Sequence, residues 1–242
     1  MFDAILADAR SWKNSVEAIA ALIDEGTLHI DENGFKLRAM DPSQIALVDF
    51  ELPAKAFEKY ELEKSVDITI DFSELLKITK RIKTEDKIEF KLDKRLNIIL
   101  RGASTRKFEI SIIESSFSLP KEPNIEFTSE VQLGAGLLKD ALKDAELVSN
   151  RVVFQVKDDT FIISSEGDTG SVSIEIPREQ LLSISSEEET RAMFSLDQLN
   201  NLIKAADSDT IVTLKLRTDM PLKLEYALGE GRVLYYLAPR IE

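Results

Sequence analysis

The sequence predicts an α+β protein of two tandem, pseudo-equivalent domains. Two observations lead to this fold class. The chain repeats itself, and each repeat alternates between the periodicities of strands and of helices. With 242 residues, the chain is long enough for two domains of ordinary size. Each domain is expected to hold two strand-helix-strand-strand-strand repeats, with helices on one side of antiparallel sheets.

The internal repeat consists of two long alignments that need no gaps. Residues 13–37 align with residues 139–163, and apolar residues meet apolar residues along both segments. Residues 72–92 align with residues 196–216 in the same way. Two ungapped matches at nearly the same spacing indicate a duplicated domain, and each quarter of the chain shows the same order of strand and helix patterns.

The second quarter of the chain illustrates one repeat. Residues 66–72 alternate apolar and polar side chains, which is the period of a half-buried strand. Leu75, Ile78 and Ile82 then follow at helical spacing. Alternation returns over residues 88–92, 96–100 and 108–112. A stretch rich in serine and proline separates the halves. The predicted boundaries are 1–113 for the first domain, 114–124 for the connecting loop and 125–242 for the second domain.

The composition is that of an acidic globular protein without cysteine. The formal net charge of −13 by itself argues against nucleic acid, because phosphate contacts need clustered lysine and arginine. The absence of cysteine excludes disulfides, thiolate metal sites and cysteine nucleophiles. No apolar run approaches the ~20 residues of a membrane span, and the N-terminus lacks a signal-peptide pattern. A cytoplasmic protein without a membrane partner is expected.

Basic side chains nevertheless concentrate on the four predicted helices, at residues 10–23, 73–83, 135–148 and 196–206. The apolar stripe of each helix must face the sheet, so the basic residues lie on the other side. Lysines recur at matched repeat positions, Lys13 with Lys139 and Lys80 with Lys204. Solubility is one explanation, and sequence-independent phosphate contact is the other. The residues predicted to face DNA are Arg10, Lys13, Lys77, Lys80, Arg81, Lys83, Lys139, Lys143 and Lys204.

No catalytic or cofactor site is predicted. The only histidine, His29, alternates with apolar neighbours on a predicted strand and has no identifiable catalytic partner in the sequence. Gly134-Ala135-Gly136 lacks the further residues of a nucleotide-binding loop. The acidic run at residues 187–189 is interpreted as a solvated loop rather than a metal site. A non-enzymatic protein without metal or cofactor is therefore expected.

Three segments of the sequence together carry a specific resemblance. They are Met1-Phe2-Asp3-Ala4, Leu37-Arg38-Ala39-Met40-Asp41-Pro42-Ser43 and Leu237-Ala238-Pro239-Arg240-Ile241-Glu242. These segments resemble the PCNA family, the sliding clamps of archaea and eukaryotes, and the Arg-Ala-Met-Asp-Pro form of the second segment is more similar to archaeal members. The resemblance covers the whole chain and implies the DNA-clamp fold, assembled into a closed trimeric ring that encircles duplex DNA as a polymerase processivity factor.

The resemblance also implies which residues do what. Lys13, Lys77, Lys80, Lys143 and Lys204 match positions that face DNA in the family. Partner proteins would insert a short hydrophobic motif into a front-face pocket, whose wall at the linker is less certain because serines replace apolar residues there. Met40 suits such a pocket because methionine adapts to several ligands. The predicted pocket residues are Met40, Ile45, Leu47, Phe117, Leu119, Pro120, Pro221, Tyr236, Leu237, Ala238 and Pro239.

Subunits are expected to join edge to edge. The strand at residues 105–111 matches the family's joint edge in the first domain, and the strand at 171–177 matches its mate in the second. Both strands alternate well, and ring closure would pair edges that are otherwise aggregation hazards. The predicted interface residues are Thr105, Lys107, Phe108, Ile110, Val172, Ile174 and Ile176.

The resemblance implies several partners: double-stranded DNA bound without sequence preference, further copies of the chain in a trimer, the clamp loader, DNA polymerase, flap endonuclease and DNA ligase. The expected location is the cytoplasm, at the nucleoid of an archaeon. Two alternatives stay open: a subunit of a heterotrimeric clamp, and an acidic interaction scaffold that does not bind DNA.

Overall fold

The structure is a computed structural model that describes residues 2–114 and 119–241. The chain divides into two compact units. The first comprises Met1–Gln44, Val48–Lys121 and Leu228–Val233, and the second comprises Ile45–Leu47, Glu122–Ala227 and Leu234–Glu242. The predicted fold class is confirmed, because helices and antiparallel strands alternate in the expected order.

The first half of the chain contains two strand-helix-strand-strand-strand repeats joined by a short extra strand. The first repeat is β1 (Phe2–Leu6), α1 (Ala9–Ala20), β2 (Glu25–Asp31), β3 (Gly34–Met40) and β4 (Ala46–Pro53). The connecting strand is β5 (Phe57–Leu62). The second repeat is β6 (Val66–Asp71), α2 (Phe72–Thr79), β7 (Lys87–Leu92), β8 (Arg95–Arg101) and β9 (Thr105–Ser111).

The second half repeats this order, including the connecting strand. Its first repeat is β10 (Ser129–Gly134), α3 (Ala135–Glu146), β11 (Arg151–Lys157), β12 (Thr160–Gly167) and β13 (Gly170–Pro177), followed by β14 (Ser183–Ser186). The last repeat is β15 (Thr190–Ser195), α4 (Leu196–Ile203), β16 (Ile211–Leu216), β17 (Leu222–Leu228) and β18 (Gly231–Leu237). The alternation pattern of the sequence does not distinguish β5 and β14 from the connections around them.

The helices end earlier than the apolar pattern predicted, at residues 20, 79, 146 and 203. After α2, the amide of Arg81 donates to the carbonyl of Ile78 at 2.9 Å, and the amide of Ile82 donates to that of Thr79 at 3.1 Å. These are bonds to the third preceding residue, which tighten the chain into turns. Apolar side chains continue to be buried through such a turn, so their spacing overestimates the helix. Lys83 consequently lies in the turn after α2 rather than on the helix.

Each unit has its own sheet order and its own core. In the first unit, one sheet runs β5-β1-β7-β8-β9 and the other strands run β4-β3-β2-β6. In the second unit, one sheet runs β13-β12-β11-β15 and the other strands run β14-β10-β16-β17. The order β4-β3-β2-β6 corresponds to β13-β12-β11-β15, and β5-β1-β7-β8 corresponds to β14-β10-β16-β17, as expected for a duplicated domain.

The helices bury their predicted stripes against these sheets. Trp12 is 1% exposed, and its ring meets those of Phe35 and Phe90 edge-on at centroid distances of 5.9 and 5.0 Å. Val16, Ile19 and Ile23, which complete the predicted stripe of α1, are also buried. In the second unit, Phe154 contacts Phe161 and Phe194 in the corresponding core. Such aromatic contacts add to the free energy gained by burying apolar surface.

One predicted turn depends on its glycine. Gly34 begins β3 with a φ of +132°, in the hairpin predicted from Asn33-Gly34. A side chain at this position would overlap the carbonyl oxygen of Leu52. The glycine therefore permits both the turn and the close approach of β4. Among the residues that the structure describes, no helix is long and apolar enough to cross a membrane.

Candidate functional surfaces

The helix pairs carry basic side chains away from the core, as predicted. In the first unit, Arg10 on α1 and Lys80, Arg81 and Lys83 at the end of α2 are exposed, whereas Lys13 is half-buried. In the second unit, Lys143 and Lys204 are exposed and Lys139 is half-buried. These positions make the charges available to a ligand that lies along the helices.

The starts of α1 and α2 are fixed by aspartate caps. The Asp8 carboxylate accepts hydrogen bonds from the amides of Arg10 at 3.1 Å and Ser11 at 3.0 Å, and Asp71 accepts one from the amide of Glu74 at 2.9 Å. Caps of this kind hold the first helical turn in place. They therefore set the position of Arg10 and of the first turn of α2. No side-chain cap is present at the described starts of α3 and α4.

Two of the predicted DNA-facing lysines form ion pairs on their own helix. The Lys77 ammonium lies 2.6 Å from Glu74 Oε1, and the Lys143 ammonium lies 3.0 Å from Asp140 Oδ1. The hydrogen bond to Glu74 raises the pKa of Lys77, so this lysine stays charged at neutral pH. Both pairs are well exposed, so a phosphate can replace the carboxylate at little cost.

Lys139 makes a contact that its position in the sequence does not predict. Its ammonium donates to the carbonyl of Ala206 at 2.6 Å and to the carbonyl of Lys204 at 3.2 Å, at the C-terminal end of α4. A cation is favourable here because the last carbonyls of a helix lack partners within the helix. The contact gives Lys139 a structural role, and its predicted DNA-facing role stays a prediction.

The two strands predicted to join subunits both lie at the end of a sheet. β9 pairs with β8, and β13 pairs with β12. Neither has a second partner strand among the described residues. Each strand therefore leaves one row of backbone N–H and C=O groups free for another strand.

The side chains of both edge strands alternate as predicted. On β9, Phe108 is half-buried and Ile110 is buried, whereas Thr105 and Lys107 are exposed. On β13, the predicted apolar positions show the same pattern: Val172 and Ile174 are half-buried and Ile176 is buried.

A groove of about 790 Å³ lies in the first unit, on the outer face of β2, β3 and β4. Three of the predicted pocket residues line it: Met40, Leu119 and Pro120. Met40 is 40% exposed and Leu119 is 71% exposed, although both are large and apolar. Exposed apolar side chains gathered in a groove are typical of a site for an apolar ligand.

Two ion pairs that no local sequence pattern predicts also line the groove. Arg38 Nε lies 2.5 Å from Asp49 Oδ2, and Arg232 Nε lies 3.0 Å from Glu51 Oε2. The alternation of β3 and β4 places Arg38, Asp49 and Glu51 on the outer face, but it does not reveal their partners. Arg232 comes from β18. Polar groups beside an apolar end give the groove a means to orient a ligand.

His29 also lines this groove and has partners. Its Nδ1 atom lies 2.5 Å from Asp67 Oδ1, and its Nε2 atom lies 3.6 Å from Asp31 Oδ2. The sequence alone does not reveal Asp67 as a partner of His29, because Asp67 comes from β6, which pairs with β2 in the fold. Among the described residues, no group of three or more histidine, cysteine or carboxylate side chains could hold a metal ion.

The remaining predicted pocket residues lie in the second unit, apart from Phe117, which lies outside the described residues. Leu47 and Tyr236 form a buried cluster with Leu234, and Ile125 and Phe127 pack against it. The amide of Ala238 donates to the carbonyl of Ile45 at 2.8 Å. Pro221 and Pro239 are half-buried, whereas Leu237 is 1% exposed.

Tyr236 is held by contacts around its ring. Its hydroxyl donates to Glu122 Oε1 at 2.8 Å, and the Lys223 ammonium lies 5.6 Å from the ring centroid. The positive charge of Lys223 is attracted to the face of the aromatic ring, and the hydrogen bond to Glu122 satisfies the tyrosine hydroxyl. These contacts fix the ring within the second unit.

Comparison with known proteins decides the family. The N-terminal domain model of proliferating cell nuclear antigen matches residues 1–117, and the C-terminal domain model matches residues 121–241. The chain belongs to the proliferating cell nuclear antigen (PCNA) family. The predicted resemblance is thereby confirmed over nearly the whole length.

Individual members of the PCNA family are similar from end to end. A DNA polymerase sliding clamp of Methanococcus maripaludis is 37% identical over 244 residues, with 97% of each chain covered. The PCNA of A. fulgidus, solved with the C-terminal region of FEN-1 bound, is 30% identical with a TM-score of 0.92, covering 100% of this chain and 99% of that one. The PCNA2–PCNA3 complex from Sulfolobus tokodaii contains a chain that is 26% identical with a TM-score of 0.90, covering 99% and 100%.

Proposed function

We propose that this chain is one subunit of a DNA sliding clamp, a closed ring that encircles duplex DNA and tethers replication and repair proteins to it. The observation that carries the proposal is the pair of free sheet edges, β9 and β13, one in each unit. A subunit with two different free edges joins head to tail, and such contacts close into a ring when the rotation allows it. The names of the relatives support a sliding clamp, and the family resemblance implies that three subunits form the ring.

The charge of the chain fits this function better than it fits tight DNA binding. A ring that cannot come off duplex DNA does not need high affinity, and a strong attraction would slow its sliding. The exposed basic residues of the helices then supply sequence-independent contact with phosphates. The net charge of −13 disfavours binding of DNA elsewhere on the molecule. A clamp performs no chemistry, which agrees with the absence of a catalytic constellation in the sequence.

The partner-binding residues extend this proposal. Met40, Leu119 and Pro120 in the first unit, and the residues around Tyr236 in the second, are candidates to receive a short hydrophobic motif from a polymerase, flap endonuclease, ligase or clamp loader. The FEN-1 complex of a relative supports this class of partner. The domain boundaries 1–113, 114–124 and 125–242, and a location at the nucleoid in the cytoplasm, belong to the same proposal.

The decisive test is retention on DNA of different topology. After loading onto circular DNA by a clamp loader, the protein should stay bound through gel filtration, and linearising the circle should release it. The physical reason is that a ring is held by topology and slides off free ends. Equal retention on circular and linear DNA would identify a surface binder, and no binding to either would favour the acidic scaffold.

The same assay tests the helix lysines. Lys77→Ala with Lys80→Ala should lower clamp-dependent processivity without dissociating the trimer, because it removes phosphate contacts and leaves the sheet edges intact. Lys55→Ala with Lys87→Ala is the matched control, since it removes two exposed lysines that lie outside α1–α4 and pair with Glu230 and Glu58. Equal processivity in both double variants would remove Lys77 and Lys80 from the DNA-facing set.

The groove is tested with a peptide from the C-terminal region of a flap endonuclease. Met40→Ala with Leu119→Ala should weaken peptide binding about tenfold or more, because two apolar contacts are lost from the site. Leu147→Ala with Leu182→Ala is the control, as both leucines are exposed, at 86% and 56%, and lie in the second unit. Titration calorimetry gives the affinities. An unchanged affinity in the groove variant would contradict the assignment.

One alternative assembly is favoured by a specific observation. The PCNA2–PCNA3 complex of Sulfolobus tokodaii consists of two different subunits, so a member of this family can complete its ring with a homologue. Light scattering on the purified chain separates the two assemblies. A trimer of this chain alone supports the homotrimer, and a monodisperse monomer at micromolar concentration indicates a heterotrimer subunit.

A further inference from the structure

The turn that follows α2 is tied to the edge strand β9 by a buried ion pair. Asp86 lies in this turn, and its side chain is 1% exposed. The guanidinium of Arg106, which is on β9, forms an ion pair with Asp86 Oδ2 through Nη2. Through Nη1, the same guanidinium donates to the carbonyl of Arg81 at 2.7 Å. One side chain of the edge strand thus holds two points of the turn.

The carboxylate is equally constrained from its other sides. Asp86 Oδ2 also accepts a hydrogen bond from the amide of Lys83 at 2.7 Å. A Cβ added to Gly102, in the turn between β8 and β9, would collide with Asp86 Oδ1. Asp86 is therefore enclosed between the turn after α2 and the hairpin that begins β9. A movement of the turn or of the hairpin would therefore break a contact to the buried Asp86 carboxylate.

Forming this ion pair costs desolvation free energy, so its position in the fold calls for an explanation. Burying a carboxylate and a guanidinium loses their hydration, and attraction within the pair offsets this loss only when the geometry is good. Asp86 Oδ1 and Arg106 Nε remain buried without a hydrogen-bond partner among the described residues. A buried pair can define one conformation whatever its net contribution to stability.

We propose that Asp86 is a positioning residue for the subunit joint: by holding Arg106 against the turn after α2, it fixes the edge strand β9 in the form that receives the neighbouring subunit. The inference rests on the proposed ring function. It adds that β9 and the basic segment that contains Lys80, Arg81 and Lys83 are structurally coupled. A change in the conformation of either should alter the other, because the Asp86–Arg106 pair connects them.

The test is the trimer dissociation constant of the Asp86→Asn variant. Asparagine keeps the size of the side chain but removes the charge that holds Arg106. We expect the constant to rise about tenfold or more by mass photometry over a dilution series. Glu89→Gln is the matched control: Glu89 is a carboxylate on β7 with a side chain 7% exposed, and its partner Arg101 lies on β8, whereas the partner of Asp86 lies on the edge strand β9.

The control separates positioning from a general loss of stability. Both variants should unfold at lower temperature, but only Asp86→Asn should weaken the trimer beyond that shared effect. Hydrogen exchange on the same samples should show β9 and residues 80–86 losing protection together in Asp86→Asn and not in Glu89→Gln. A dissociation constant within twofold of the control, with no joint loss of protection, would overturn the inference.

A second variant keeps the test decisive if Asp86→Asn does not fold. Arg106→Lys retains a cation that reaches Asp86, but it lacks the fork that binds Asp86 and the Arg81 carbonyl together. It should raise the dissociation constant by a smaller factor than loss of the charge on Asp86. An unchanged constant would again overturn the inference. A wild-type chain that is monomeric is a different result, because it contradicts the proposed homotrimer itself.

Discussion

Phe108→Asp should convert the trimer into monomers. Phe108 is half-buried on the free edge strand β9, where the proposed joint would bury the rest of it. An aspartate there would be an unpaired charge within the joint, at a cost of about 3–5 kcal/mol. This cost corresponds to an increase of about a hundredfold or more in the dissociation constant of each joint. Light scattering and loading onto circular DNA measure the loss.

The complementary variant makes the test specific to a head-to-tail joint. Ile174→Asp should have the same effect, because Ile174 is half-buried on β13, the proposed mate. Each variant retains one intact edge, β13 in the first and β9 in the second. An equal mixture should therefore form dimers that hold a single intact joint, and no larger species.

A third substitution controls for the chemistry of the change. Ile5→Asp also places a carboxylate at a half-buried position of the same sheet, but β1 lies between β5 and β7. It should lower stability and leave the trimer intact. Phe108→Asp trimers, or a mixture that stays monomeric, would contradict the proposed joint.

Acid should destabilise the first unit. Burial by itself would raise the pKa of Asp86, but the Lys83 amide and the Arg106 guanidinium outweigh it and hold the pKa below its usual value. For Glu89, burial by itself would likewise raise the pKa, but Lys91 and Arg101 outweigh burial and lower the pKa.

Asp31 follows the same rule. Burial would raise its pKa, but hydrogen bonds from Asn33 and the ammonium of Lys36 lower it. All three carboxylates lie in the first unit. Each pKa unit by which folding lowers a carboxyl group corresponds to about 1.4 kcal/mol of stability at neutral pH.

The direction of the pH effect follows from these shifts. A carboxylate with a lowered pKa in the folded state contributes stability that is complete above its unfolded pKa, near pH ~4. That contribution is lost as the pH falls through the folded pKa. The free energy of unfolding should therefore decrease as the pH is lowered from about 5 to about 3.

The single tryptophan gives a direct measurement. Trp12 is buried in the first unit, so its fluorescence during urea unfolding reports that unit. The urea concentration at the midpoint of this transition should fall below pH ~4. The double variant Asp86→Asn with Glu89→Gln should be less stable at neutral pH but should change less with acid. An identical pH dependence in wild type and variant would contradict the role of these carboxylates.

Much of the fold could be predicted because its signals are local. The apolar stripe of α1 and the alternation of β9 depend on residues a few positions apart, and they placed Trp12 in the core and Phe108 on a strand. The position of that strand at an edge was implied by the family resemblance. Helix ends were less predictable, since residues 80–83 continue the apolar pattern of α2 through a turn. The helices do carry basic side chains on the predicted faces, but Lys139 binds the end of another helix.

By itself, the sequence determined the duplication, the order of strands and helices, and the family, because each depends on short-range period or on whole-length similarity. Only the tertiary structure decided which charges meet. Asp86 with Arg106, His29 with Asp67, and the groove beside Met40 each join residues from different strands and turns. Their distances depend on how strands pair and where helices stop, and no local pattern records that. The proposed link between the joint strand and the basic turn is therefore a property of the folded chain.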